Sequence, residues 1–286
     1  MASELTLGVI GGSGLYEMEG LTEKQSVHVD TPFGKPSDAL VVGRLEGRRI
    51  VFLPRHGVGH RILPSEINYR ANIWALKSLG VSQLLSISAV GSMKEAIVPG
   101  HLVFVDQFID LTKRRISTFC GDGLVAHVPM AEPVCPGVRQ ALIDCAQTLG
   151  FPHHSKGTYV CVEGPQFSTR AESMVYRSWG VDVIGMTNMP EAKLAREAEI
   201  AYATVALATD YDCWHPAEAS VTVEAVLETL AANVEKARAL IRAYAARATE
   251  ATASTLAKTA LRTSLITPLS EIPHPTKERL APLLQP

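Results

Sequence analysis

The 286-residue sequence lacks the features that define several large classes of protein. It has no apolar run near the roughly 20 residues that a membrane span requires, so we predict a soluble protein. Lys and Arg number 27 against 29 Asp and Glu, so no basic excess is available to attract nucleic acid. Neither an internal repeat nor a low-complexity tract is present. Any anion that the protein binds must therefore be held by a local group of residues.

Cysteine is also scarce. The five cysteines are odd in number and widely spaced, without C-x-x-C or C-x-C pairs, which is typical of reduced thiols. The N-terminal M-A-S-E-L-T-L has neither the basic segment nor the long apolar segment of an export signal, so we predict a cytoplasmic location. A Ser/Gly-rich linker is missing as well. We therefore predict one large α/β domain over residues 1–262, followed by a proline-rich tail over residues 263–286 that cannot form a regular helix.

The stretch I-A-Y-A-T-V-A-L-A-T-D-Y-D-C-W, from Ile200 to Trp214, predicts a strand that ends in two carboxylates. Ala201–Thr209 is uncharged and consists mostly of small, β-branched or apolar residues, as in a strand buried on both faces. Asp210 and Asp212 follow where that strand should end. Because ligands of open α/β folds bind beyond the carboxyl ends of strands, this D-x-D indicates a site. Two aspartates capping a surface turn are an equal alternative from this stretch alone.

Other predicted strands end in short polar loops. Leu5–Ile10 is followed by G-G-S-G, whose backbone N–H groups and Ser13 hydroxyl suit an anion, although a tight corner is the commoner role. The sequence fits neither a dinucleotide fingerprint nor a nucleotide P-loop. Arg55 and His56 follow a predicted hairpin strand, and the planar guanidinium of Arg suits phosphate oxygens. The default interpretation of such a pair is two solvated side chains on the surface. Leu84–Ser88 is a predicted buried strand that ends in S-A-V-G-S, a third loop of this kind, in which the backbone N–H groups of Ser88 and Ala89 suit an anion.

Helix signals separate these strands. Predicted helices cover Pro64–Leu79, Pro136–Leu149, a capped stretch from Thr169 to Trp179, a short one ending at Ala198, and a long one from Val223 to Tyr244. Asn188 and Glu191 are predicted to cap the short helix, which brings Thr187 close to a helix N-terminus that favours phosphate. The irregular excursion Asp106–Glu132 is long enough to indicate a functional or interface element.

Taken together, the loops resemble those of the methylthioadenosine phosphorylase branch of the purine nucleoside phosphorylase family. The resemblance covers roughly residues 5 to 245 in collinear order. The motifs that carry it are G-G-S-G-L at 11–15, D-T-P-F-G-K-P-S-D-A at 30–39, R-H-G at 55–57, N-Y-R-A-N-I-W-A-L-K at 68–77, H-V-P-M-A-E-P at 127–133, E-G-P-Q-F-S-T-R-A-E at 163–172, M-T-N-M-P-E at 186–191 and A-T-D-Y-D-C-W at 208–214.

The resemblance implies a single α/β domain with a curved mixed β-sheet flanked by helices, assembled as a homotrimer. The implied reaction is the reversible phosphorolysis of 5'-methylthioadenosine to adenine and 5-methylthioribose 1-phosphate, a step of purine and methionine salvage. It implies no metal and no organic cofactor, since inorganic phosphate is the co-substrate. A phosphorylase that prefers 6-oxopurines and an inactive nucleoside-binding protein are the alternatives, and asparagine in place of Asp210 would favour the first.

The same resemblance implies a role for each site residue. Phosphate would be bound by Ser13, Arg55, His56, Ser88, Ala89 and Thr187. Met186 would lie against the ribose, Phe167 would stack on the base, and Asp210 and Asp212 would contact the purine edge, with Asp210 as the catalytic group. Ser168 and Val223 would shape specificity, while His127, and more weakly Ile266, would reach the site of a neighbouring subunit. From sequence, Asp210 is equally a proton donor to N7 or an acceptor from the 6-amino group.

Overall fold

The computed structural model describes residues 4–215 and 223–284, in which a mixed sheet is covered by helices on both faces. The strands are β1 (Thr6–Gly11), β2 (Thr22–Val27), β3 (Leu40–Leu45), β4 (Arg48–Pro54), β5 (Val81–Ser92), β6 (Leu102–Phe104), β7 (Gln107–Asp110), β8 (His153–His154), β9 (Thr158–Cys161), β10 (Val183–Gly185) and β11 (Ala201–Asp210). The helices are α1 (Tyr69–Ser78), α2 (Pro136–Thr148), α3 (Arg170–Ser178), α4 (Asn188–Glu197), α5 (Val223–Arg247), α6 (Thr255–Thr259), α7 (His274–Arg279) and α8 (Ala281–Leu284), and short 3-10 helices cover Ser13–Tyr16, Asp212–Trp214 and Glu250–Thr252. None of the helices within these ranges is long and apolar enough to cross a membrane.

Strand β5 is the centre of the sheet. It pairs in parallel with β1 and β11 and in antiparallel with β10, while β1 also pairs in parallel with β4. Parallel neighbours end on the same edge of a sheet, so the ends of β1, β4 and β11 meet beside the second half of β5. The loops that follow these strands are therefore brought together, as a mixed α/β sheet predicts.

Strand β11 separates the two main hydrophobic cores. Its residues alternate between them, as the two-residue period of a strand requires: Tyr202, Ala206 and Ala208 face one core, and Ala203, Val205 and Leu207 face the other. Helices α1 and α4 cover the first face, and α2 and α5 cover the second. The prediction that this strand is buried on both faces is confirmed.

Several boundaries differ from the sequence prediction. Helix α1 begins at Tyr69 and not at Pro64, because the Asn68 side chain accepts a hydrogen bond from Ala71 N at 3.1 Å and caps the helix there. Strand β5 continues to Ser92, so Ser88 lies inside a strand and not in a loop after it. The small and polar residues from Ser88 onwards face a cavity, and they do not mark the end of the strand.

The proline-rich tail packs against the rest of the chain. Ile272, Leu280 and Leu283 are buried in the core that also contains helix α1, and the Trp74 indole donates to the Arg279 carbonyl at 3.0 Å. Two short helices, α7 and α8, interrupt the tail. Their prolines lie in the first turn, where a helix needs no N–H donor, so the prediction of no regular helix is wrong for these short stretches.

Candidate active site

A cavity of about 440 Å³ opens at the edge of the sheet where β1, β4, β5 and β11 meet. Most residues that the resemblance implies as ligands line it, namely Arg55, His56, Ser88, Ala89, Phe167, Ser168, Met186, Thr187, Asp210 and Asp212. Residues far apart in sequence therefore line one cleft of the size that a small organic ligand occupies.

One end of the cavity carries hydroxyl groups. Ser88 Oγ lies 3.2 Å from Thr187 Oγ1 and 3.4 Å from the Tyr159 hydroxyl, which also accepts from Thr187 N at 3.4 Å. Burial raises the pKa of Tyr159 to about 12, so its hydroxyl stays protonated at neutral pH. Met189 has an extended backbone with φ of −117° and ψ of 133°, so a kink separates Thr187 and Asn188 from the regular part of helix α4. The hydroxyls of Ser88 and Thr187, which line the cavity, suit an oxyanion.

Arg55 lies at the same end, but its charge is already paired. Its Nε donates to Glu191 Oε2 at 2.8 Å and its Nη2 to Glu191 Oε1 at 3.1 Å, and both side chains are buried. Ser86 Oγ and the Ile87 carbonyl accept two further hydrogen bonds. Burial alone would lower the pKa of Arg55, but the carboxylate outweighs burial and raises it. Arg55 therefore enters the cavity wall as half of an ion pair.

The predicted capping role of Asn188 and Glu191 is wrong. Thr187 occupies the cap position of α4 without a side-chain capping bond, and Glu191 accepts from Arg55, Ser86 and Tyr202. The Asn188 amide donates to Ser86 and to two hydroxyls on β11. Both side chains point from the helix into the buried polar cluster between β5 and β11, where an acceptor for Arg55 stabilises more than a surface cap does.

His56 is a neutral imidazole in this structure. Burial lowers its pKa to about 4, with a smaller lowering from the charge of Arg55. Its Nδ1 lies 2.8 Å from the Ile62 carbonyl, and because a carbonyl only accepts, the proton sits on Nδ1. The ring stacks on His60 with centroids 4.2 Å apart. The loop after β4 therefore presents a neutral histidine and a compensated arginine to the cavity.

The other end of the cavity holds the two aspartates. Asp210 Oδ1 accepts from Asp212 N at 2.8 Å, and Asp210 Oδ2 accepts from Thr209 Oγ1 at 2.7 Å. A register shift between Ala208 and Asp210 turns the end of β11 here. Asp212 has φ of +52°, in the left-handed region. These bonds fix the D-x-D geometry before any ligand enters.

Gly91 lets β5 approach these carboxylates. A Cβ at this position would lie 3.0 Å from Asp210 Oδ1 and 3.3 Å from the Asp212 Cβ. Both neighbours are held by hydrogen bonds and have little room to move. A side chain at Gly91 would therefore displace the aspartates.

The wall between the two ends is apolar. Met186, Ile184 and Val162 contribute to it, together with Leu15, Leu207 and Val234. Phe167 is 56% exposed, so it is not a core residue and its ring is available at the cavity mouth. A Cβ on Gly164 would lie 2.5 Å from Met186 Sδ, which shows how closely this loop packs on Met186.

Arg115 is a structural residue of the site that sequence reasoning missed. Its guanidinium donates to the carbonyls of Met186 at 2.6 Å, Met189 at 2.7 Å and Glu163 at 2.8 Å, and to the Tyr69 hydroxyl at 2.9 Å. It thereby joins the two loops that carry Met186 and Phe167. Its acceptors are mainly backbone carbonyls, so the side chains of the sequence carry no signal for it.

Three of the predicted site residues are not found among the described residues that line the cavity. His127 is exposed and does not line the cavity; its backbone N–H donates to the Ser264 carbonyl at 3.1 Å, beside Ile266. The side chains of Ser13 and Val223 fall outside the described part of the chain, so their roles stay predictions. Within the described ranges, no three His, Cys, Asp or Glu residues come together as a group that could hold a metal ion.

Comparison with known proteins places this geometry in context. The family described as the Phosphorylase superfamily matches residues 6–246. The S-methyl-5'-thioadenosine phosphorylase of Geobacter sulfurreducens is 57% identical over 97% of both chains, and that of Thermosynechococcus vestitus is 56% identical over 97% of both.

Solved structures show the same likeness. A methylthioadenosine phosphorylase from an Antarctic soil metagenomic library is 52% identical, covers 99% of both chains and superposes with a TM-score of 0.94. A variant of the adenosine/methylthioadenosine phosphorylase of Schistosoma mansoni, in complex with methylthioadenosine, is 39% identical, with a TM-score of 0.85 over 92% of this chain and 99% of that one.

Proposed function

Because this chain belongs to the phosphorylase superfamily, we propose that it catalyses the reversible phosphorolysis of 5'-methylthioadenosine to adenine and 5-methylthioribose 1-phosphate. The observation that carries the proposal is the cavity, whose hydroxyl-rich end suits phosphate and whose aspartate end suits an aminopurine. Two relatives named S-methyl-5'-thioadenosine phosphorylase are more than half identical to this chain over almost its whole length, which supports this substrate. The complex of the Schistosoma protein with methylthioadenosine supports the same nucleoside.

The proposed chemistry follows from the two ends. Departure of adenine leaves positive character at C1', which an anion held below the sugar stabilises. The Ser88 and Thr187 hydroxyls would hold that phosphate, with the neutral His56 accepting from a protonated phosphate oxygen. Asp210 would either donate to N7 of the leaving base or accept from its 6-amino group. We propose no metal and no organic cofactor for this reaction.

The remaining contacts complete the nucleoside site in this proposal. Met186 would lie against the ribose, and Phe167 would cover the base at the cavity mouth. Ser168 would contribute to base preference beside Asp212. The apolar wall near Leu207 and Val234 suits the methylthio group, since burial of a methyl and a sulfur there is favourable.

We further propose a homotrimer in which His127 reaches the cavity of a neighbouring subunit. His127 lies on a short ladder in which Ala126 pairs with Leu265, and Ile266 N donates to the Val125 carbonyl at 2.9 Å. Ile266 and Val125 are 65% and 45% exposed, so this ladder presents apolar side chains that a subunit contact would bury. The five free thiols also support a reducing, cytoplasmic location.

The test is to incubate the protein with 5'-methylthioadenosine, with and without inorganic phosphate, and to measure adenine and the sugar product. We expect adenine release only with phosphate, together with a sugar 1-phosphate. Equal release in phosphate-free buffer would identify a hydrolase and contradict the proposal. Inosine assayed under the same conditions is the control for a 6-oxopurine preference.

A further inference from the structure

We propose that Ser173, which does not line the cavity, sets the preference for 6-aminopurines by holding the Asp212 carboxylate in place. This inference rests on the proposed function, in which Asp212 contacts the purine edge. Ser173 is fully buried on helix α3, and its Oγ lies 2.5 Å from Asp212 Oδ2. It is therefore a positioning residue that would act on the base through Asp212.

The bond between these two side chains is of the strong kind. An O–H···O⁻ bond of about 2.5–2.7 Å is charge-assisted and stronger than a bond between neutral groups. The Asp212 backbone is held by its own N–H, which donates to Asp210 Oδ1 at 2.8 Å. Asp212 is thus fixed at the backbone by Asp210 and at the side chain by Ser173. Its carboxylate has a defined direction before a base arrives.

Helix α3 also connects this bond to the loop at the cavity mouth. The helix begins after Thr169, whose capping box with Glu172 fixes its first turn, and Phe167 and Ser168 immediately precede that cap. Cys213 Sγ donates to the Ser168 carbonyl at 3.4 Å, so the D-x-D segment and this loop are joined at a second point. A change at Ser173 would therefore act at the base end of the cavity, on Asp212 directly and on the loop of Phe167 and Ser168 through helix α3.

The chemistry explains why the effect concerns specificity. A carboxylate that receives the Ser173 proton presents acceptor lone pairs to its surroundings. The 6-amino group of adenine is a donor and satisfies such an acceptor, whereas the 6-oxygen of hypoxanthine is itself an acceptor. Without the Ser173 hydroxyl, the buried Asp212 carboxylate loses a hydrogen-bond donor. Its charged form is then less stable, and its orientation is less well fixed. The penalty against a 6-oxopurine should then fall.

The decisive measurement is the ratio of the dissociation constants of hypoxanthine and adenine, determined by titration calorimetry in the wild type and in Ser173→Ala. We expect the variant to reduce this ratio by at least about tenfold, because one buried donor to a charged group is lost. Binding needs no turnover, so the result does not depend on catalysis. Adenine release from 5'-methylthioadenosine with phosphate, measured in parallel, tests the proposed function separately.

The matched control is Ser178→Ala on the same helix, where the lost hydroxyl donates only to the Val175 carbonyl, at 2.6 Å, on the exposed side. It should leave the base ratio unchanged, and Ser173→Thr, which keeps a hydroxyl, should retain most of the preference. If Ser173→Ala weakens both bases equally, so that the ratio stays within about twofold, Ser173 has only a structural role and the inference is wrong. A wild type that binds both bases equally also overturns it.

Discussion

The buried pair of Arg55 and Glu191 makes the sharpest prediction about stability. Arg55→Met and Glu191→Leu each remove one partner and leave the charge of the other uncompensated. The side chains are 3% and 0% exposed, so water cannot screen the charge that remains. Removal of one partner from a buried pair destabilises a protein by about 3–5 kcal/mol, because an uncompensated charge stays in the interior.

The double variant should lose much less than the sum of the two single losses. Once one charge is gone, removal of the second relieves a penalty, and replacement of a buried pair by apolar groups is often close to neutral. Here the Ser86 and Tyr202 hydroxyls, which also donate to Glu191, would lose their acceptor and keep the double variant below the wild type. We therefore expect the double variant to be at least as stable as either single variant, which corresponds to a coupling free energy of at least about 3 kcal/mol between the two positions.

Thermal unfolding, followed by circular dichroism at one fixed protein concentration, measures the effect. Each single variant should melt lower by on the order of 10 °C, from about 2–4 °C per kcal/mol for a chain of this size. The exposed pair of Arg242 and Glu46, joined at 2.6 Å with side chains 52% and 33% exposed, provides a matched control cycle. Its coupling should be below about 1 kcal/mol because solvent screens it.

Strictly additive losses at Arg55 and Glu191 would refute this reasoning, as would single variants that melt within about 2 °C of the wild type. The result also bears on how phosphate binding is tested. Arg55→Ala removes a possible phosphate donor and half of a buried ion pair together. A fall in activity of that variant is therefore not specific to phosphate.

Three further predictions follow from the site. The pKa of His56 is about 4 in the folded state and about 6.5 in the unfolded state, so the unfolded state binds more protons between these pH values. The free energy of unfolding should therefore fall by at most about 3 kcal/mol as the pH drops from 6.5 to 4. In His56→Gln, the melting temperature should depend less on pH over this range. Asp210→Asn should shift the kcat/KM ratio from methylthioadenosine towards methylthioinosine, and a change below about threefold would contradict its role in specificity. The His127→Ala and Asp210→Ala variants should each be inactive, and a mixture whose subunits exchange should regain activity because mixed trimers contain an intact shared site. The active species should sediment with three times the 30.8 kDa mass of the chain, whereas an active monomer would exclude the shared site.

Local sequence patterns predicted the parts of this fold that local interactions determine. The uncharged run that ends in D-x-D is β11, the hairpin before Arg55 is β3 and β4, and the Thr169 capping box is present as expected. In each case the signal lies within a few residues of the feature, as alternation, turn residues or cap spacing. The grouping of the polar loops then follows from the rule that parallel strands end at one edge of a sheet.

The errors share one physical cause, which is that long-range partners decide the role of a side chain. Glu191 has the spacing of a helix cap, but its partner Arg55 is 136 positions away. Arg115 is bonded to carbonyls 71 and 74 positions away, and backbone groups leave no trace in the sequence. The sequence predicts the end of the strand at Ser88 because the polar residues from there on face a cavity, and a cavity is a property of the assembled fold.

The pairing of β11 with β5 has a consequence for the order in which the molecule folds. Thr209 Oγ1 lies 3.2 Å from the Val90 carbonyl, 119 positions earlier in the sequence, and the whole parallel ladder joins equally distant segments. Chain entropy opposes such an encounter, so proteins rich in distant contacts fold slowly. The hydrogen bonds within helices α1 and α2 join residues near in sequence, so these helices can form early. The aspartates of the cavity reach their positions only when β11 docks, so binding competence should be among the last properties that a refolding chain acquires.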